Sequence, residues 1–162
     1  MKTLFWKGMV AAAILLPALS GAGGWAAQEH QGKEEQRIEG VWDVSVTVVS
    51  CATSAPLFTD PHGAILMFID GGTLTETANR ANRSAGLGTW SHLGGTSYTT
   101  LEKWFEYTAA GTFNGTTVNT REIELSKDAD KYAATASTQV YNAMGQLINT
   151  ELCASSSAKR CW

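Results

Sequence analysis

The sequence predicts an all-β protein, an eight-stranded antiparallel barrel with up-and-down topology. Short segments alternate between apolar and polar residues at the two-residue period of a β-strand. Glycine-containing turns separate these segments at regular intervals. No segment after the first 26 residues shows a helical period. Eight antiparallel strands of this length close into a barrel that is either filled by side chains or holds one small ligand. A two-sheet sandwich is the alternative architecture.

The first predicted strand, from Ile38 to Ser50, shows the alternation most clearly. Its even-numbered residues from Trp42 to Val48 are apolar, whereas its odd-numbered residues from Asp43 to Thr47 are polar. The other seven strands are predicted over Ala64–Asp70, Thr73–Asn79, Leu87–Leu93, Thr96–Thr108, Phe113–Ser126, Tyr132–Asn142 and Gln146–Cys153. These strands are rich in threonine, which favours a pleated surface because its side chain is β-branched.

The amino terminus has the features of a secretory signal peptide. Two lysines precede an apolar run over residues 9–19, and small residues follow that allow cleavage after Ala22 or Ala26. The run falls short of the roughly 20 residues that a membrane-spanning helix needs. We therefore predict a signal peptide over residues 1–26, a flexible leader over 27–37, the barrel over 38–153 and a carboxy-terminal tail over 154–162. The predicted location is the periplasm or the extracellular medium, with no membrane span in the mature chain.

The charge balance narrows the class of partner. The chain has 12 basic and 15 acidic residues, and loss of the two lysines of the signal peptide leaves a net charge of about −5. Nucleic acids and anionic membranes both attract clustered lysine and arginine. Neither is therefore expected to be the main partner.

The three cysteines, Cys51, Cys153 and Cys161, allow one disulfide after export. If the last strand ended at Cys153 and paired with the first, Cys51 and Cys153 would lie near opposite ends of the barrel, too far apart to bridge. We therefore expect a disulfide that involves Cys161, with either of the other two cysteines. No histidine lies at ligand spacing from them, so neither a metal nor a cofactor is predicted.

The length of each turn fixes which residues of two neighbouring strands pair, and so predicts which residues of the next strand face inward. If Gly94-Gly95 is a two-residue turn, Trp90 lies opposite Thr99. The inward face then holds His92, Leu101, Lys103, Phe105 and Tyr107, and the outward face holds Glu102, Trp104 and Glu106. A three-residue loop at residues 109–111 places Phe113 opposite Tyr107, so that Asn119, Arg121, Ile123 and Leu125 point inward.

The same reasoning applies to Gly71-Gly72. A two-residue turn there pairs Met67 with Glu76 and places Glu76 inward, beside Ile65, Met67, Ile69 and Leu74. A change of one residue in any turn reverses the facing of a whole strand.

The predicted interior is apolar apart from Glu76, His92, Asn119 and Arg121. A carboxylate, an imidazole and a guanidinium in one dry cavity can orient a polar ligand group or transfer a proton. Each has a purely structural alternative. Arg121 would pair with a carboxylate or stack on an indole, His92 would lie at the rim, and Glu76 would face solvent if its turn had another length.

Gly40-Val41-Trp42, which opens the first strand, resembles the G-x-W motif of the lipocalins and the wider calycin group. Asp130-Lys131-Tyr132 resembles the T-D-Y motif between the sixth and seventh lipocalin strands. Arg160 is a candidate for the arginine that packs over the motif tryptophan in that family. The resemblance implies a barrel that is open at one end and plugged by Trp42 at the other, and it implies no particular activity.

Short secreted bacterial proteins of uncharacterised function show a closer resemblance, through G-x-W-D, G-G-T-L-T-E-T and G-x-G-T-W segments. These segments occur here at residues 40–43, 71–77 and 86–90.

The predicted function is the binding of a small, largely apolar molecule inside the barrel. The predicted lining is Trp42, Val46, Met67, Trp90, Phe105, Tyr107 and Phe113, with Arg121 or Glu76 at a polar end of the ligand. Two alternatives remain at this point. One is an isomerase or cyclase that uses Glu76 and His92 as catalytic groups inside the cavity. The other is an extracellular module that binds a protein or glycan through an outer face around Trp104.

Overall fold

The computed structural model describes residues 37–162, and these residues form a closed antiparallel barrel of eight strands. Each strand pairs with its neighbours in the sequence, and β1 pairs with β8 to close the barrel. The strands are β1 Gly40–Val49, β2 Pro56–Ile69, β3 Thr73–Ala78, β4 Gly86–Gly94, β5 Ser97–Tyr107, β6 Phe113–Leu125, β7 Lys131–Asn142 and β8 Leu147–Arg160. The predicted fold class and up-and-down order are confirmed. The predicted signal peptide and all but the last residue of the predicted leader lie outside the described residues.

One end of the barrel is closed by a packed aromatic core around Trp42. The indole is fully buried, its Nε1 donates to the Ile38 carbonyl oxygen at 2.9 Å, and its ring lies 5.0 Å from that of Tyr132. The Arg160 guanidinium lies 4.3 Å from the centre of the indole ring and donates to the carbonyl oxygens of Glu39 and Ala129. The three segments that resemble the lipocalin motifs therefore meet at this closed end.

The other end is open, and four of its strands carry alanine at an inward position. Toward the closed end the inward residues are bulky, among them Trp42 and Phe68, and they fill the interior. Farther along the same strands the inward positions of β2, β3, β7 and β8 hold Ala64, Ala78, Ala136 and Ala154. Paired alanines on neighbouring strands leave space that no described side chain fills.

The predicted inward face of β2 is wrong. Ile69 pairs with Thr73, so the β2–β3 turn contains Asp70 in addition to the two glycines, both of which have positive φ. This extra residue places Leu66, not Met67, opposite Glu76 and reverses the facing of β2. The inward residues are Ala64, Leu66 and Phe68, whereas Ile65, Met67 and Ile69 are exposed; Glu76 is inward as predicted.

The predicted facing of β5 is also wrong, because β4 contains a bulge at Leu93. His92 pairs with Tyr98 and Gly94 pairs with Ser97, so one residue of β4 has no partner. As a result Tyr98, Thr100, Glu102 and Trp104 point inward, and Leu101, Lys103 and Phe105 point outward. A second bulge lies at Asn114, between the pairs Glu106–Gly115 and Tyr107–Phe113. It reverses the facing again, so the predicted inward positions Asn119, Arg121, Ile123 and Leu125 are confirmed.

The last strand is longer than the sequence predicts, and this changes the disulfide. β8 continues to Arg160, so residues 154–160 belong to the barrel and not to a tail. Arg160 pairs with Trp42, which places Cys153 opposite Val49 and close to Cys51. Cys51 and Cys153 form the disulfide, with their Cα atoms 5.2 Å apart. The expected bridge through Cys161 is therefore wrong, and Cys161 forms no disulfide within residues 37–162.

Among residues 37–162 there is no helix of the length and apolar character that a membrane span requires.

Candidate functional site

The open half of the barrel encloses a cavity of about 360 Å³. Its walls are mainly apolar and come from Val46 and Val48 of β1, Phe58 of β2, Trp104 of β5, and the four inward alanines. Glu76, Asn119 and Arg121 lie at the inner end of the cavity. A volume of this size is at the small end of the range of about 300–1,000 Å³ that is usual for ligand pockets.

A buried charge cluster separates the cavity from the aromatic core. The Arg121 guanidinium lies between two carboxylates, with Nη1 2.5 Å from Oε1 of Glu102 and Nη2 donating to Oε2 of Glu76. All three side chains are buried. Loss of Arg121 would leave the buried Glu102 without its cationic partner, and breaking a buried ion pair typically costs about 3–5 kcal/mol.

A second arginine reaches the cluster from the β3–β4 loop. Nη2 of Arg83 donates to Oε1 of Glu76 at 2.5 Å, and the guanidinium lies 3.8 Å from the centre of the Trp104 ring. The loop is fixed to β5, since Ser84 N donates to the Phe105 carbonyl oxygen and Tyr107 N donates to that of Asn82. Glu76 therefore accepts from two arginines that lie on different elements.

Two glycines of β4 allow this close packing. Gly86 pairs with Glu76, and Gly88 pairs with Glu102. A Cβ atom at Gly88 would lie 2.2 Å from the Leu101 carbonyl oxygen, a distance that no side chain can adopt. A Cβ atom at Gly86 would lie 3.3 Å from Cβ of Glu76. The G-x-G-T-W segment thus makes room for the buried carboxylates.

The two buried carboxyl groups have opposite pKa shifts. Burial acts to raise the pKa of Glu76, but the charges of Arg121 and Arg83 outweigh it, so this pKa lies below its ordinary value. Burial raises the pKa of Glu102 to about 7, because the attraction of Arg121 is insufficient to offset it and the charge of Glu76 raises it further. Glu76 is therefore ionised at neutral pH, whereas Glu102 titrates there.

Neutral polar groups complete the inner end of the cavity. Asn119 Nδ2 donates to Oε1 of Glu102 at 2.7 Å, and Thr138 Oγ1 donates to Oδ1 of Asn119 at 2.9 Å. Ser156 lines the cavity, and its hydroxyl is buried with no hydrogen-bond partner within residues 37–162. Most buried hydroxyl groups are hydrogen-bonded, so the Ser156 hydroxyl is an exception.

The predicted lining residues fall into three groups. Val46, Glu76, Tyr107 and Arg121 line the cavity. Trp42 and Trp90 belong to the packed core of the closed end. Met67, Phe105 and Phe113 are exposed and do not line the cavity. The longer β2–β3 turn turns Met67 outward, and the bulge at Leu93 turns Phe105 outward. Phe113 precedes the bulge at Asn114 and therefore does not share the inward face of the rest of β6.

The predicted catalytic pair is not brought together. Glu76 lies opposite Gly86, and His92 lies six residues farther along β4, roughly 20 Å away at the rise of a β-strand. The His92 ring is exposed, stacks on Tyr98 and contacts the Gly95 carbonyl oxygen at 2.9 Å. Direct proton transfer between these two groups is excluded by this separation.

Three residues of the site were not predicted from the sequence as members of it. Glu102 and Trp104 were expected on the outer face, and Arg83 lies in a loop that carried no prediction. Because Trp104 is buried, it does not form the outer aromatic platform of the third hypothesis. A signal for the cavity itself was present in β7, where Ala134 and Ala136 follow Tyr132 on the inward face.

Within the described part of the chain, no group of three or more histidine, cysteine, aspartate or glutamate residues is placed to hold a metal ion. The chain matches no protein-family model and no curated protein.

Proposed function

We propose that this protein binds a small, largely apolar molecule with an uncharged polar end in the open half of its barrel. The observation that carries this proposal is the cavity of about 360 Å³, which has apolar walls and a polar inner end. Apolar walls supply affinity through removal of ligand surface from water, and a few polar groups fix the orientation of the ligand.

The charges around the cavity favour an uncharged polar group over an ionised one. Glu76 already compensates Arg83 and Arg121, and Glu102 also contacts Arg121. At the inner end of the cavity, a ligand carboxylate would have to displace one of these contacts and leave a buried carboxylate unpaired. A hydroxyl, amide or carbonyl group would instead meet the neutral polar side chains of Asn119 and Thr138, which line the cavity, without disturbing the ion pairs.

We further propose that binding takes place outside the cytoplasm, in the periplasm or the extracellular medium. The apolar run and small residues of the amino terminus support export. The Cys51–Cys153 disulfide supports it independently, because disulfides persist in oxidising compartments.

The test uses two fluorescent probes of nearly the same shape, neutral N-phenyl-1-naphthylamine and its sulfonate, 8-anilinonaphthalene-1-sulfonate. We expect the protein to bind the neutral probe, and to bind it at least about tenfold more tightly than the sulfonate, a difference of about 1.4 kcal/mol. Failure to bind either probe would refute the cavity proposal, and equal affinities would refute the preference for an uncharged group.

A cavity-filling variant locates the binding site. Ala136 lines the cavity, whereas Ala133 on the same strand is exposed on the outer face. Ala136→Phe should reduce affinity for the neutral probe by at least about tenfold, or about 1.4 kcal/mol, while Ala133→Phe should leave it unchanged. Equal effects of the two substitutions would show that the probe binds elsewhere.

A further inference from the structure

The open end of the barrel carries exposed apolar side chains around the entrance of the cavity. We call this end the mouth; it comprises loop residues 50–55, 79–85, 108–112 and 143–146 and the strand ends beside them. Three of its four strand connections present large exposed apolar side chains, at Leu57, Phe58, Phe113, Met144, Leu147 and Ile148. Phe58 also lines the cavity, so the apolar surface of the mouth continues into the interior. Several large exposed apolar side chains at one end of a small protein typically mark an interaction site.

Charge is distributed unevenly between the two ends of the barrel. The four loops of the mouth contain two arginines, Arg80 and Arg83, and no carboxylate. The turns of the closed end, residues 70–72 and 126–130, contain three aspartates and one lysine. The net negative charge of the chain, which argued against an anionic membrane as a partner, is therefore absent from the four loops of the mouth. An anionic surface would repel the closed end and admit the open end.

We propose that the mouth docks on a lipid bilayer that contains anionic lipids, with its apolar side chains inserted at the boundary of headgroups and acyl chains. Apolar insertion combined with attraction of a cation to anionic headgroups is the usual basis of such reversible binding. Arg80, which is exposed in the β3–β4 loop, supplies the cation. Docking in this orientation points the cavity entrance at the membrane.

One consequence rests on the function proposed above. A largely apolar ligand would pass between the bilayer and the cavity along Phe58 of the mouth and its neighbours Val48 and Val46, which line one apolar side of the cavity. Membrane docking itself needs only the outer residues of the mouth. The two proposals are therefore tested by different measurements, vesicle flotation for docking and probe fluorescence without lipid for ligand binding.

The experiment compares two substitutions of equally exposed leucines at opposite ends of the barrel. Leu57 at the mouth is 68% exposed, and Leu93 beside the β4–β5 turn of the closed end is 64% exposed. Neither lines the cavity. Wild type, Leu57→Asp and Leu93→Asp are mixed with vesicles of phosphatidylcholine and phosphatidylglycerol in equal parts, or of phosphatidylcholine alone, and the bound fraction is measured by flotation.

We expect wild type to float with the mixed vesicles, to bind phosphatidylcholine vesicles more weakly, and to dissociate as salt is raised. Leu57→Asp should lower the partition coefficient at least about tenfold, Leu93→Asp should not change it, and both variants should bind N-phenyl-1-naphthylamine without lipid as wild type does. Absence of vesicle binding, or equal loss in the two variants, overturns the docking proposal. The docking proposal is also overturned if the protein is a dimer that binds no vesicles and that Leu57→Asp dissociates, because the mouth would then be an interface between two copies of the chain. Vesicle binding without probe binding would uphold docking and refute ligand binding.

Discussion

Replacement of Glu102 by glutamine should stabilise the protein at alkaline pH and have little effect at acidic pH. Glu102 is buried beneath the cavity, where it contacts Arg121 and accepts from Asn119. Glutamine has nearly the same shape as a protonated glutamic acid and retains a carbonyl oxygen that accepts a hydrogen bond. Glu102→Gln therefore imitates the uncharged form of the side chain at every pH.

The magnitude follows from the pKa of this carboxyl group. Burial raises the pKa of Glu102 from 4.5 to about 7. As the pH rises between these values, the unfolded chain releases the proton while the folded protein keeps it, so the free energy of unfolding falls. The fall amounts to about 3 kcal/mol and is complete slightly above pH 7. Since glutamine does not ionise, the variant should be more stable than wild type by about 3 kcal/mol at pH 8 and by less than about 1 kcal/mol at pH 5.

Urea unfolding followed by tryptophan fluorescence, at pH 5 and pH 8, measures both differences. Glu122→Gln is the matched control, because Glu122 is exposed on the outer face of β6. We expect its effect on stability to stay within about 0.5 kcal/mol at either pH, as is usual for surface substitutions. A Glu102→Gln difference that is the same at both pH values, or a loss of stability at pH 8, would refute the reasoning.

Two further predictions concern the closure of the barrel. The Cys51–Cys153 disulfide joins residues 102 positions apart, and the double replacement Cys51→Ser/Cys153→Ser should lower the free energy of unfolding by about 2–5 kcal/mol. Urea unfolding with and without a reductant measures this, and a wild type insensitive to reductant would contradict the pairing. Arg160→Met should cost about 2 kcal/mol in thermal unfolding, because it removes the stacking and carbonyl contacts of the guanidinium at the closed end. The exposed neighbour Lys159→Met is its control, and equal effects of the two substitutions would show that those contacts are not stabilising.

Some features of the site could be predicted from local sequence alone. The resemblance to the lipocalins implied that Trp42 plugs one end of the barrel with Arg160 over it, and both residues occupy those positions. Glu76 and Arg121 were both expected to point inward, and they form an ion pair. The prediction for Arg121 succeeded because the bulges at Leu93 and Asn114 reverse the facing twice and cancel.

Other features escaped prediction because they depend on single inserted residues. Trp104 and Glu102 were placed on the outer face, although both are buried inside. The bulge that turns them inward cannot be recognised in the sequence, because the unpaired residue, Leu93, is of a type that is common at regular strand positions. Arg83 was missed for a different reason. It lies in the β3–β4 loop, and it joins the buried cluster because backbone hydrogen bonds hold this loop against β5.

The sequence by itself determined that the chain forms eight short antiparallel strands and which residues alternate along them, because the two-residue period and the positions of the turns are local properties of the backbone. Tertiary structure decided which set of alternating residues faces inward, which cysteines meet, and where the interior is empty. Strand register decides these outcomes, and an insertion of one residue in a turn or strand shifts the register and exchanges the inner and outer faces. The cavity lies where alanines on four strands are at the same height along the barrel axis. The register of strand pairing decides which residues lie at the same height.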